Sequence, residues 1–271
     1  MNYLEELKQT WKSDTDDQGT IQQRIWDRAA KSFDETPIPT FAENPFLQRI
    51  EEEISLSPAL RTLDVGCGSG IFSLALAPRV GEAVGVDISP EMIRYAQEKK
   101  QTLGQTNVHF SCLNWDHADL DALGFRGAFD VAFAHMTPAV HDFETLDKLN
   151  ACSRNLCLIA KPVRRCDPLQ DEVFRLIDLD DSRSHFDSTV ETFAYLWYKG
   201  YEPKLSYCNE VWTSDRTPED AAAWYLDRAR LQKTVTSDDE ARVLTYLRSA
   251  AKDGLVHEHT TVTRVTILWH I

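Results

Sequence analysis

The stretch Leu63-Asp64-Val65-Gly66-Cys67-Gly68-Ser69-Gly70 constrains what this chain can fold into more than any other. Residues 60–65 close on an apolar run that reads as a buried strand. Gly66, Gly68 and Gly70 then allow the backbone to turn tightly and to approach a ligand with no Cβ in the way. Ile71-Phe72-Ser73-Leu74-Ala75-Leu76-Ala77 continues with helical spacing, so the first free N–H groups of a helix face whatever lies on the turn. A second short apolar strand, Val84-Gly85-Val86-Asp87-Ile88-Ser89, places a carboxylate 17 residues beyond Gly70. In open α/β sheets an acidic side chain at this location hydrogen-bonds ribose hydroxyls. The glycine turn alone reads equally well as an ordinary strand-to-helix loop; with Asp87 in register it reads as a nucleotide-type cradle.

These two motifs, the second continued as Ser89-Pro90-Glu91-Met92, resemble the class I S-adenosylmethionine-dependent methyltransferases over about residues 55–165. A nicotinamide dinucleotide fold shares the glycine turn. The two-residue glycine repeat, the acidic Asp64 ahead of it and the Ser-Pro-Glu-Met opening of the next helix favour the methyltransferase. The resemblance implies S-adenosyl-L-methionine as cofactor and S-adenosyl-L-homocysteine as product. It implies a cofactor site of Asp64 near the methionine part, Gly66, Cys67, Gly68 and Gly70 on the turn, and Asp87 and Ile88 at the ribose. For the adenine amino group it points to the loop Leu113-Asn114-Trp115-Asp116-His117. Asn114 has the right spacing from the preceding strand and Asp116 the usual charge, so both stand, while Trp115 either stacks on the adenine or packs in the core.

The fold expected is therefore α/β: an open, mostly parallel, Rossmann-like seven-stranded methyltransferase sheet with an antiparallel last strand, N-terminal helices and an inserted cap. A chain of 271 residues with 42% hydrophobic content accommodates one such domain and a smaller addition. The net charge of −14, from 43 acidic and 29 basic residues, opposes a phosphate backbone as partner. No apolar run is long enough to cross a membrane and no cationic, apolar leader opens the chain, so a soluble cytoplasmic protein without a nucleic-acid or membrane partner is expected. The six cysteines form no CxxC pair and read as free thiols in a reducing compartment. Nothing in the sequence indicates an oligomeric state.

Residues 1–35 read as two helices separated by the polar stretch Ser13 to Gly19, and Trp26, Ala29, Ala30 and Phe33 form one apolar face. That face either packs on the body of the protein or makes a lid over the cofactor, as in family members with a similar Trp-Asp-Arg-Ala-Ala…Phe-Asp segment. Pro37, Pro39 and Pro45 interrupt it, and a helix resumes at Phe46. Strands are expected at 107–111, 128–134 and 155–160. After the fourth strand comes His135-Met136-Thr137-Pro138-Ala139-Val140-His141-Asp142, where segments leaving the carboxyl ends of strands line the ligand crevice. His135 has the chemistry of a base that is neutral near pH 7, and structural packing is the alternative. Met136, Thr137 and His141 are candidate substrate contacts. The Asn/Asp-Pro-Pro-aromatic turn of the family's nucleic-acid-base and glutamine-amide enzymes is absent from these residues.

Lys161, Arg164 and Arg165 concentrate positive charge after the fifth strand. They read as a solvated turn or as contacts to a carboxylate or phosphate on the substrate, with Arg164 the candidate substrate-binding residue. Helices are expected at 172–178, 188–199, from 218 and at 237–251, a strand at 204–212, and a terminal hairpin at 255–260 and 263–269. His257 and His259 share a strand face without a matching acidic or cysteine partner, so no metal site is expected. The expected division is an N-terminal helical lid over 1–50, a cofactor-binding core over 51–165 and 236–271, and a cap over 166–235. The function expected is methyl transfer to a small-molecule oxygen, nitrogen or sulfur nucleophile. A protein or peptide methyltransferase, a non-catalytic S-adenosylmethionine-binding protein and an NAD-dependent oxidoreductase are the alternatives.

Overall fold

The computed structural model describes residues 3–12, 18–179 and 188–271. The stretch 13–17, within which the break between the first two helices is expected, lies outside these residues. Two helices, α1 (Tyr3–Thr10) and α2 (Gln18–Asp34), precede α3 (Pro45–Glu53). The order then runs β1 (Arg61–Val65), α4 (Ile71–Leu76), β2 (Glu82–Asp87), α5 (Pro90–Leu103), β3 (Val108–Cys112), β4 (Phe129–His135), α6 (Phe143–Cys152) and β5 (Ser153–Cys166). It closes with α7 (Pro168–Leu176), α8 (Thr189–Tyr198), β6 (Lys204–Arg216), α9 (Pro218–Arg230), α10 (Ser237–Ala250) and β7 (Val256–His270). The seven strands form one sheet in the order β3-β2-β1-β4-β5-β7-β6, and β1 to β5 are joined by parallel pairings.

The local reasons are conventional physical chemistry. Ser89 caps α5 by accepting from the Met92 N–H, Pro90 occupies the first turn, and Gly104 ends the helix in the left-handed region. Asp142 and Thr145 form a reciprocal capping box at the start of α6. The strands β1, β2 and β4 are buried along most of their length, as expected of a parallel sheet with helices on both faces. On one face Phe46, Leu47 and Ile50 of α3 meet Phe133, Leu156, Leu158 and Ala160 of β4 and β5. Near β1 to β3, Cys67, Leu74, Ala96, Val108 and Phe110 form a further cluster.

The expected terminal hairpin is not present: 256–270 is one continuous strand. Thr260-Thr261-Val262-Thr263 contains no glycine, proline, asparagine or aspartate to turn on, and its β-branched residues favour an extended chain. The antiparallel partner of β7 is β6, whose residues 204–212 were expected within the cap. Thr263 donates to Asn209 and His257 pairs with Asp215, so partners run in opposite directions along the two strands.

Two compact units divide the chain. The first comprises 1–161, 188–206 and 265–271, and the second 162–187 and 207–264. Residues 166–235, expected as one cap, thus fall partly in each. Within the second unit α10 packs with α7 and α9 around Val173, Phe174, Tyr225, Val243 and Leu247. Among the described residues no helix is long and apolar enough to cross a membrane.

Gly70 shows how tightly the first unit is built. Its φ is +77°, and a Cβ there would lie 2.5 Å from Phe110 Cζ on β3. Gly70→Ala combines left-handed strain with overlap against a packed ring, and urea unfolding is expected to show a loss of roughly 2–4 kcal/mol.

Candidate functional site

The first glycine of the turn is held from below: the Val86 carbonyl of β2 accepts from both the Gly66 and Cys67 N–H groups. Gly66, Gly68 and Gly70 all have positive φ. A Cβ on Gly66 would lie 2.0 Å from Thr137 Oγ1, so the segment leaving β4 lies directly against the turn leaving β1. The Gly68 N–H donates to Asp87 Oδ2 at 2.8 Å, and the Ser89 N–H donates to Asp87 Oδ1 at 2.9 Å. Asp64, buried at the end of β1, accepts a hydrogen bond from Ser73 Oγ of α4 at 2.9 Å. The Cys67 thiol is buried between these carboxylates, and burial pushes its pKa far up.

Asn114 accepts from the Asp116 N–H and so caps the short 3₁₀ turn of residues 115–117. Trp115 is 3% exposed and donates its indole N–H to the Thr145 carbonyl of α6. Of the two readings left open for it, this geometry is core packing. Ile88 and Asn114 both border Gly19 of α2, where a Cβ would meet Asn114 Nδ2 at 3.0 Å. Met136 has a φ of +55° and donates its N–H to the Ala160 carbonyl. His141 places Nδ1 3.1 Å from the Pro138 carbonyl and Nε2 3.8 Å from Asp116 Oδ1. The His135 ring centre lies 4.0 Å from that of Phe72 and 4.6 Å from that of Phe46. Arg164, also with positive φ, belongs to the second unit, where with Asn209, Val211, Thr261 and Thr263 it lines an open groove of about 290 Å³.

Three contacts of α2 were not singled out by sequence. Asp27 accepts from Ser89 Oγ at 2.5 Å, the Phe33 carbonyl accepts from Ser69 Oγ at 3.0 Å, and Lys99 of α5 pairs with Asp34. With Gly19 against Asn114, α2 runs from the loop after β3, past the end of β2, to the glycine turn. The alternation of Asp27 and Asp34 with the apolar face was the available signal, but an acidic residue on a helix is usually solvated.

Residues 56–178 match the methyltransferase domain family. Those residues make up a methyltransferase domain. The methyltransferase domain is similar to a ubiquinone biosynthesis O-methyltransferase of Leptothrix cholodnii, 37% identical over 73 residues that cover 27% of this chain and 31% of the relative. It is also similar to the 23S rRNA (uracil(1939)-C(5))-methyltransferase RlmD of Shewanella sediminis, 42% identical over 69 residues, 26% of this chain and 14% of that protein. The matched part thus spans less than a third of each of these curated relatives. Among solved structures, an S-adenosylmethionine-dependent methyltransferase from Geobacter sulfurreducens in complex with S-adenosyl-L-homocysteine shares the fold. It is 17% identical with a TM-score of 0.50, over 90% of this chain and 97% of that one.

The two buried carboxylates beside the glycine turn, Asp64 and Asp87, differ from ordinary carboxylates in their titration. Burial pushes Asp64 up to about 7; the Ser73 hydrogen bond opposes this and the nearby Asp87 charge adds to it. Burial likewise raises Asp87, opposed by the Ser89 and Gly68 N–H groups. For Asp64 the folded pKa lies above the unfolded one, so the folded state holds the proton longer. Stability is therefore lost as pH rises from about 4 toward 7 and levels off above, at roughly 1.4 kcal/mol per pH unit. Urea unfolding between pH 5 and 8 is expected to show this slope in the wild type and a much smaller one in Asp64→Asn.

Proposed function

We propose that this chain transfers a methyl group from S-adenosyl-L-methionine to an oxygen, nitrogen or sulfur nucleophile of a small molecule. One observation carries the reading: Asp87 ends β2 with its carboxylate bonded to the N–H of Gly68, so the ribose-type acid and the glycine turn form a single rigid cradle. The donors and acceptors present fit the cofactor. The turn at Gly66, Cys67, Gly68 and Gly70 would hold its amino-acid end with Asp64 behind, Asp87 with Ile88 its ribose, and Asn114 or Asp116 its adenine, with Trp115 packed beneath that loop. Two buried carboxylates suit a ligand that brings hydroxyls and positive charge.

The bound cofactor supplies an activated sulfonium methyl group. The protein's share is then alignment, exclusion of water and removal of a proton. Met136, Thr137 and His141, on the segment pressed against the turn, are the residues we assign to the acceptor side. His135, between two phenyl rings, suits a wall or orienting role better than proton transfer. Arg164 lies in the second unit and is not assigned to this site. The ubiquinone biosynthesis relative is named as an O-methyltransferase, which supports a small acceptor. RlmD is named for ribosomal RNA; the charge of −14 weighs against RNA here.

Calorimetric titration tests the reading. S-adenosyl-L-methionine and S-adenosyl-L-homocysteine are expected to bind while NAD does not, and Asp87→Ala is expected to weaken both by at least about tenfold through loss of a charge-assisted hydrogen bond. Failure of both to bind the wild type refutes it. With an acceptor in hand, His135→Phe is expected to keep most of the turnover, whereas loss of a general base costs about a hundredfold or more.

A further inference from the structure

One edge of the sheet is a long strand with little to protect it. β6 stands last in the strand order and runs for 13 residues, against about 5–6 in a typical strand. An edge strand presents a row of backbone N–H and C=O groups with which another strand can pair, and proteins blunt such edges by shortness, outward charge or proline. The opposite edge, β3, is blunted: it has five residues, and its exposed side chains include His109 and Ser111. β6 contains no proline or glycine, and from Leu205 to Ser214 its one charged residue is Glu210.

Strand alternation places Tyr207, Asn209, Val211 and Thr213 on one face of β6, and all four are exposed, Tyr207 by 65% and Val211 by 59%. Glu210 and Trp212 lie on the other face. There Glu210 pairs with Arg264 at 2.9 Å and accepts from the Trp212 indole N–H at 2.9 Å. The one charge of this stretch is thus matched within the chain, while the exposed face carries two large apolar side chains and no charge from 207 to 213. Between them Asn209 accepts from Thr263 Oγ1 of β7 at 2.9 Å.

We propose that β6 pairs antiparallel with β6 of a second copy of this chain, about a twofold axis at Asn209, so that one sheet continues through both molecules. The pairing does not depend on the methyl-transfer reading. A twofold axis normal to the sheet keeps every side chain on its own face, so one residue must lie opposite its own copy. With the axis at Asn209, Tyr207 lies opposite Val211 of the second copy, and the reciprocal pair forms on the other side of the axis. Aromatic and β-branched side chains opposite one another stabilise a sheet, and two facing asparagine amides can each donate and accept. Glu210 then faces Cys208. An axis at Glu210 instead sets Glu210 against Glu210 and Lys204 against Arg216, like charges in both cases, and an axis at Cys208 sets Tyr207 against Asn209. The exposed pattern of β6 is therefore complementary to itself in one register, which is why the partner is a second copy and not an unrelated strand. Each copy carries a net charge of −14, and a seam without unmatched charge is where two such molecules meet at least electrostatic cost.

Sedimentation velocity of the full chain is expected to show a dimer that dissociates on dilution from about 0.1 mM. Asn209→Lys places an ammonium opposite its own copy and is expected to weaken the dimer at least about tenfold with the melting temperature of the monomer retained. A second measurement covers failure of that variant to fold. With the exposed or half-buried Cys112, Cys166 and Cys208 replaced by serine, Asn209→Cys is expected to give a reducible covalent dimer under oxidised glutathione, because directly opposed residues of antiparallel strands lie within disulfide reach. Thr213→Cys in the same background faces Leu205 and is expected to give none. A chain that stays monomeric at about 0.1 mM, a dimer unchanged in folded Asn209→Lys, or a covalent dimer through position 213 and not 209 overturns the proposal.

Discussion

A carboxylate as buried as that of Asp87 has to be matched by donors, and the donors it finds decide the geometry of the first unit. Its two oxygens take the N–H groups of Gly68 and Ser89, which join the turn after β1 to the start of α5. Because the Val86 carbonyl also holds Gly66 and Cys67, the glycine turn is fastened to β2 at two levels. Left-handed backbone at Gly66, Gly68 and Gly70 then follows from the path the chain must take between these anchors. The same path leaves no room for a side chain on Gly66 or Gly70, because Thr137 and Phe110 already fill it. The cost of the arrangement appears in the elevated pKa values of Asp64 and Asp87. Carboxylates held in this unfavourable state are the groups that gain most from a ligand bringing hydroxyls and positive charge.

The first helices are bound into this arrangement through side chains that also belong to it. Ser89 caps α5, receives the Met92 N–H and donates to Asp27 of α2. Ser69 lies on the glycine turn and donates to the Phe33 carbonyl near the end of α2. A ligand on the turn therefore shares its surroundings with α2. On the other side of the sheet, α1 and α8 approach the end of β5 through Trp11, Tyr195 and Ser188, and a lysine is buried among them. Burying an ammonium is expensive unless polar groups surround it, and the Ser188 hydroxyl and the Trp11 ring are among its neighbours.

Much of the fold was legible because its signals are local. The strand ends at Val65 and Asp87, the Ser89-Pro90 helix start and the glycine spacing each depend on a few neighbouring residues, and the elements appear within a few residues of their expected places. The terminal strand was misread because Thr260 to Thr263 gives alternation but no turn; only its neighbours in the sheet decide whether such a stretch folds back or runs on. The strand at 204–212 was seen, but its place at the sheet edge beside β7 was not, since strand order is a long-range property.

By itself the sequence determined the parallel α/β architecture, the turn from β1 into α4 and the acid at the end of β2, because hydrophobic period, backbone freedom and capping act over a handful of residues. Tertiary structure alone decided which side of a residue meets what. It packed Trp115 under α6, set the His135 ring between Phe46 and Phe72, brought Asp27 to Ser89 across 62 residues and buried Lys161 against Ser188 across 27. The physical reason is that burial and hydrogen-bond satisfaction are settled by partners distant in the chain, and a single residue's type does not say which of them it will meet.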